Sequence, residues 1–116
     1  MTLAVVVVCA LLGVAGAGSG VGKLTGNPKV MESVQSVGVT AAQARLLGVI
    51  ELAGAAGLLI GVVVPVIGLA AANGFVLYFA GAVLMHLRAE HPVAGWAPAA
   101  VLCLLAIAAT LLQLQR

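Results

Sequence analysis

From Leu46 to Leu87 the chain runs through apolar residues with Glu51 as the only formally charged side chain. Drawn out as one helix at about 1.5 Å per residue, this tract would measure about 63 Å, roughly twice the hydrocarbon thickness of a bilayer. A stretch of that length must double back. Pro65 marks the reversal, because it lacks an amide N–H, its ring clashes with the preceding helical turn, and it biases Val64 away from helical geometry. The tract therefore reads as a tight transmembrane hairpin with spans over 46–64 and 66–87.

The flanking segments obey the same logic. Thr2 to Val21 carries no charge and supplies a first span over 2–21. Ala97 to Leu112 supplies a last span over 97–112, introduced by Trp96, whose amphipathic indole favours the membrane interface. Composition agrees: the chain is 64% hydrophobic and 7% charged, against about 25% charged in soluble domains, so the excess apolar surface must face lipid. That excludes a cytosolic enzyme, a secreted disulfide scaffold and a disordered segment. Five Lys and Arg residues are too few and too scattered for a nucleic-acid partner. The expected fold is all-α: a polytopic membrane protein, one domain over 1–116, with four transmembrane helices in an up-down bundle. A cleavable signal peptide ending near Ala15-Gly16-Ala17 is the rival reading of the first segment. It is disfavoured because Met1-Thr2-Leu3 carries no basic residue and the apolar stretch exceeds the usual h-region of about 7–15 residues.

The basic residues orient the bundle. Lys23, Lys29 and Arg45 follow the first span, Arg88 follows the third, and Arg116 alone falls on the other side. The positive-inside rule puts loops 23–45 and 88–96 in the cytoplasm and both termini outside, in a cell inner membrane. The first of these loops has structure of its own. Asn27-Pro28 reads as an N-cap with proline at the first helical position, and Gly38 as a terminator. Val30, Met31, Val34 and Val37 share one face between them, which predicts a short interfacial helix over 28–37. Thr40 and Gln43 then have capping-box spacing for the start of the second span.

Glycine is abundant, and Gly16/Gly20, Gly18/Gly22 and Gly57/Gly61 all have the GxxxG spacing that lets helices approach closely. These faces suit packing within the bundle or a homo-oligomer. Asn73 and Tyr78 are further polar groups in the third span, and Phe75 and Phe79 share its His86 face as packing residues. Cys9 and Cys103 lie at depths about 10 Å apart, beyond disulfide reach, and read as free thiols. His86 and His91 alone make no metal site, and no CxxC, phosphate-cradling loop or Ser/His/Asp constellation is present.

The polar chemistry converges at one end. Glu51 lies roughly 8 Å inside the boundary of the second span, where a carboxylate costs at least about 2.5–3.5 kcal/mol unless it finds a partner. Up-down topology brings Lys23, Arg45, His86, Arg88 and Glu90 to the same end. Glu51, His86, Arg88 and Lys23 are therefore the candidate site. In one version a cation from His86, Arg88 or Lys23 neutralises Glu51 as a structural lock; in the other, Glu51 and His86 accept protons at a small-molecule or quinone headgroup site.

Three stretches are similar to the DoxX-like family of small bacterial membrane proteins: Gly22-Lys23-Leu24, the run Leu47-Gly48-Val49-Ile50-Glu51-Leu52-Ala53-Gly54-Ala55-Ala56-Gly57-Leu58, and Gly81-Ala82-Val83-Leu84-Met85-His86-Leu87-Arg88. The resemblance covers essentially the full chain. It implies a four-helix membrane fold, a distant kinship with the small subunit of a thiosulfate:quinone oxidoreductase, and links to membrane-associated oxidative-stress complexes. It singles out the same Lys23, Glu51, His86 and Arg88. The expected function is an integral membrane accessory subunit without catalytic activity of its own, lipid-embedded, with a quinone as candidate ligand and a membrane or redox protein as candidate partner. The alternative is a small proton-coupled homodimeric exporter working through Glu51.

Overall fold

The computed structural model describes residues 3–115. Thr2, at the expected start of the first span, the basic-free leader Met1-Thr2, and Arg116 lie outside the described residues. Five helices follow one another: α1 (Leu3–Thr25), α2 (Pro28–Gln35), α3 (Ala41–Ile60), α4 (Pro65–Arg88) and α5 (Val93–Leu114). No strand occurs among the described residues. The four long helices are long and apolar enough to cross a membrane. In the up-down bundle α1 packs on α3, α3 on α4, α4 on α5, and α5 back on α1, with α2 touching α1 and α3.

Each boundary has a local cause. Asn27 caps α2, its side-chain oxygen accepting from the N–H groups of Lys29 and Val30 at 3.1 and 3.4 Å, with Pro28 at the first helical position. Thr40 and Gln43 form the reciprocal capping box that starts α3 at Ala41. That is the start the capping box predicts, one turn ahead of the apolar run that begins at Leu46. At the far end α3 stops at Ile60 rather than 64: Gly61 to Val64 form the turn, and Pro65 opens α4. The last helix begins at Val93 rather than 97 and carries Pro98 within it. Pro98 lies past the first turn, so the helix forgoes the bond its N–H would make to the Ala94 carbonyl.

Glycines set the spacing between helices. Gly20 and Gly48 face each other where α1 crosses α3, and a Cβ on either would stand within 2.9 or 2.7 Å of the other's carbonyl oxygen. Gly61 and Gly68 meet at the α3–α4 turn, where a Cβ on Gly61 would fall 2.2 Å from the Cα of Gly68. Between these crossings the ring of Phe75 lies in a slot cut by Gly16 of α1 and Gly54 of α3; a Cβ on either would come within 2.8 Å of its tip. Phe75 stacks on Phe79 at 5.6 Å, and Tyr78 meets Phe79 edge-on at 5.2 Å. Val5, Leu12, Leu58, Ala72, Ala106 and Ala109 complete a core that is small because the bundle is thin. Leu59, Val66, Leu77 and Leu104 point outward, as expected of helices apolar all round and solvated by lipid.

The bundle thus has a hairpin end, where Gly61 and Gly68 touch, and a polar end, where α2 and the α4–α5 loop lie. Near the hairpin end Gln113 is buried and donates to the Cys9 sulfur at 3.5 Å. Cys103 instead donates to the Val76 carbonyl oxygen at 3.8 Å.

Candidate functional site

The close approach at Gly20 and Gly48 decides what happens one turn further along each helix. Lys23 follows Gly20 on α1, and Glu51 follows Gly48 on α3. Helical side chains lean toward their own N-terminus. The two helices are antiparallel, so Lys23 leans into the bundle and Glu51 leans toward the polar end. They meet in an ion pair between Lys23 Nζ and Glu51 Oε1. Both are buried, Glu51 completely and Lys23 with 7% exposure. No other ion pair joins described residues.

Two hydroxyls complete the arrangement. Ser19, one turn before Lys23, accepts from Nζ at 2.7 Å and donates to Glu51 Oε1 at 3.2 Å. Tyr78 of α4 donates to the same oxygen at 2.7 Å, and its ring centre lies 5.9 Å from Nζ. Oε1 therefore collects three donors from two other helices. Oε2 is buried with no hydrogen-bond partner among the described residues. Such charge-assisted bonds are the stronger ones, and in an apolar surround they tie α1, α3 and α4 together.

A cavity of about 920 Å³ adjoins this network, within the range of roughly 300–1,000 Å³ typical of small-molecule sites. Ser19, Lys23 and Tyr78 line it, whereas Glu51 stands behind them and does not. Its walls are largely apolar: Leu46 and Leu47 from α3, Phe79 and Leu84 from α4, Leu102 from α5. Val30, Val34 and Val37, the apolar face of the α2 segment, also line it, as do Lys29 and Ser33. No aspartate or glutamate is among the lining residues. The site can accept a molecule with an apolar body and an oxygen-bearing head presented to the Lys23 ammonium, the hydrogens of both hydroxyls being committed to Glu51.

The four residues expected at the site divide into two groups. Lys23 and Glu51 pair directly. His86 lines the cavity but bonds to His91, Nδ1 to Nδ1 at 2.8 Å, rather than to Glu51. Arg88 is exposed at the end of α4 and does not join them. The physical reason is a helix terminus. The His91 N–H donates to the His86 carbonyl at 3.1 Å and the Glu90 N–H to the Leu87 carbonyl at 3.0 Å, with Glu90 at φ 59°. That is a Schellman termination, in which side chains at these two positions ordinarily make contact. The histidine pair is that contact. No group of three or more potential metal ligands gathers among the described residues.

Ser19 was not singled out by sequence reasoning, and Tyr78 was noted without a role. The signal for Ser19 was its i, i+4 spacing to Lys23, which puts both on one helical face. For Tyr78 it was a phenol well inside a span, which needs a hydrogen-bond partner when buried. Asn73, by contrast, lies on the exposed face of α4.

A family model described as the DoxX-like family matches residues 7–109. No curated protein and no solved structure matches the chain.

Proposed function

Because the chain belongs to the DoxX-like family and is an integral membrane protein, we propose that it is an accessory membrane subunit that holds the head of a quinone-class amphiphile in the cavity at its polar end. The observation that carries this reading is the placement of Ser19, Lys23 and Tyr78 on the cavity wall with Glu51 sealed behind them. A quinone head is a hydrogen-bond acceptor with an apolar tail. The Lys23 ammonium has three N–H donors, of which Ser19 and Glu51 take two. The third is available to a carbonyl oxygen, and the apolar walls suit the tail. A redox protein partner would supply or collect the electrons, and this chain supplies the lipid-side site.

Lys23, Lys29, Arg45 and Arg88 all lie at the polar end, so that end faces the cytoplasm of an inner membrane. Self-association, in this reading, would use the glycines of the spanning helices that meet nothing within the bundle and do not line the cavity, namely Gly18 and Gly74.

The test is binding of decyl-ubiquinone to the protein in lipid nanodiscs, with Ala82→Trp as the variant that fills the cavity. Micromolar binding weakened by at least about tenfold in Ala82→Trp, with the fold retained, is the expected result. Absence of binding to the wild type defeats the quinone reading. Proton-driven solute flux in liposomes that Glu51→Gln abolishes would favour the exporter instead.

A further inference from the structure

The α2 helix sits over the cavity and touches α1 and α3 far less extensively than the long helices touch one another. None of its residues is buried, although Val30, Ser33 and Val34 line the cavity. It is bracketed by Gly26 at φ 72° and Gly38 at φ 88°, and a Cβ at either glycine would meet nothing within 4 Å. Each glycine closes a Schellman turn: the Asn27 N–H donates to the Gly22 carbonyl at 2.9 Å, and the Val39 N–H to the Val34 carbonyl at 3.1 Å. The segment is therefore a stiff rod between two glycine joints set in open space. Its seat on α1 is narrow. Gly22 is a close contact point within it, where a Cβ would fall 2.9 Å from a Val30 methyl.

We infer that α2 is a hinged lid, and that the ligand passes between the adjoining leaflet and the Ser19–Lys23–Tyr78 wall by its displacement. This inference rests on the proposed reading of the cavity as a ligand site. The chemistry favours this route. Lifting α2 exposes only the valine face of one short helix and leaves the Lys23–Glu51 pair intact. The cavity also borders the exposed Leu46 of α3 and Leu84 and Met85 of α4, so the α3–α4 side is the competing route, which fixing α2 in place would leave open. Segments that move to admit ligands come from the weakly anchored parts of a fold, with hinges at a few terminal residues.

The same contact supplies the test. A Cβ built on Gly22 lies 3.6 Å from the Val30 Cβ, within the roughly 3.5–4.5 Å that a disulfide requires. In Gly22→Cys/Val30→Cys the valine methyl that would clash is also gone. Cys9 is about 20 Å further along α1 and cannot compete. The probe is decyl-ubiquinone, whose fully substituted ring does not add thiols, with exchange rates measured in nanodiscs after reductant has been removed. The stapled protein should exchange the probe at least about tenfold more slowly than the reduced one, with affinity changed less than about threefold. Each single-cysteine variant, oxidised in the same way, should match the wild type. Equal exchange rates in stapled and reduced protein overturn the lid. If the reduced protein and wild type bind no quinone, the ligand reading fails separately and hydrogen exchange decides the lid. Amides of 29–38 must then exchange at least about 100-fold faster than those of 44–58, and slow on stapling. Protection equal to that of the spans overturns the lid on its own.

Discussion

The two ends of the bundle close in opposite ways. At the hairpin end the chain turns through Gly61 to Val64, backbones touch at Gly61 and Gly68, and the Gln113 amide is packed against that contact. At the polar end α1 reaches α3 by way of α2, α4 reaches α5 through a Schellman turn, and a cavity opens between all five helices. Every described residue with positive φ, Gly26, Gly38 and Glu90, lies at the polar end. In a membrane, lipid tails compete with any apolar contact, so helices hold together by close backbone approach or by polar bonds. This molecule uses the first at one end and both in the middle, where the Gly20–Gly48 crossing precedes the Lys23–Glu51 pair. The end without backbone contact is where room for a ligand opens.

The largest expected effect tests the polar bond. Lys23→Met leaves the Glu51 carboxylate fully buried with two hydroxyl donors and no countercharge. Removing one partner of a buried pair costs roughly 3–5 kcal/mol. The double variant Lys23→Met/Glu51→Gln removes both charges and should regain most of that stability. The measurement is unfolding in mixed micelles, read as a double-mutant cycle. A Lys23→Met cost below about 1 kcal/mol would place the pair with ordinary surface ion pairs and break the distinction between a bonded middle and an open end.

The backbone contact is tested next. Gly61→Ala puts a Cβ 2.2 Å from the Gly68 Cα, which flexible side chains cannot relieve, and overpacking of this kind costs about 1–3 kcal/mol. Gly74→Ala and Gly81→Ala meet nothing within 4 Å and should be neutral or up to about 1 kcal/mol stabilising. The comparison sharpens if the three are measured together. A penalty at Gly74 matching that at Gly61 would show that the outer face of α4 is packed against another molecule.

How far these features were legible in the sequence depended on how local they are. The reversal at Pro65, the Asn27-Pro28 start of α2 and the Thr40/Gln43 capping box each depend on a few adjacent residues, and each stands where expected. The gathering of polar residues at one end follows from counting spans. Choosing the partner of Glu51 does not, because it depends on how three helices are rotated about their axes. Lys23, His86 and Arg88 were equivalent candidates until the Gly20–Gly48 crossing fixed α1 against α3. His86 was drawn away by a helix ending with glutamate where glycine is usual, which gave little warning. The cavity was not legible at all, since it is defined by what α3 and α4 fail to fill.

That ending gives the smallest and most local test. Gly26 and Gly38 occupy the left-handed position of their Schellman turns without penalty, whereas Glu90 holds the same position at φ 59° with a side chain attached. Glu90→Gly relieves that strain and should stabilise the protein by about 0.5–1 kcal/mol, less the entropy glycine adds to the unfolded chain. The reverse change, Gly38→Ala, should cost a similar amount. Because Glu90 presents His91 to His86 on the cavity wall, the stability gain should leave the two imidazoles paired, read from their NMR shifts. Stabilisation accompanied by separation of the two rings would mean that the glutamate's strain is what holds the histidines together. The polar end would then differ from the hairpin end not only in its space but in being kept under tension.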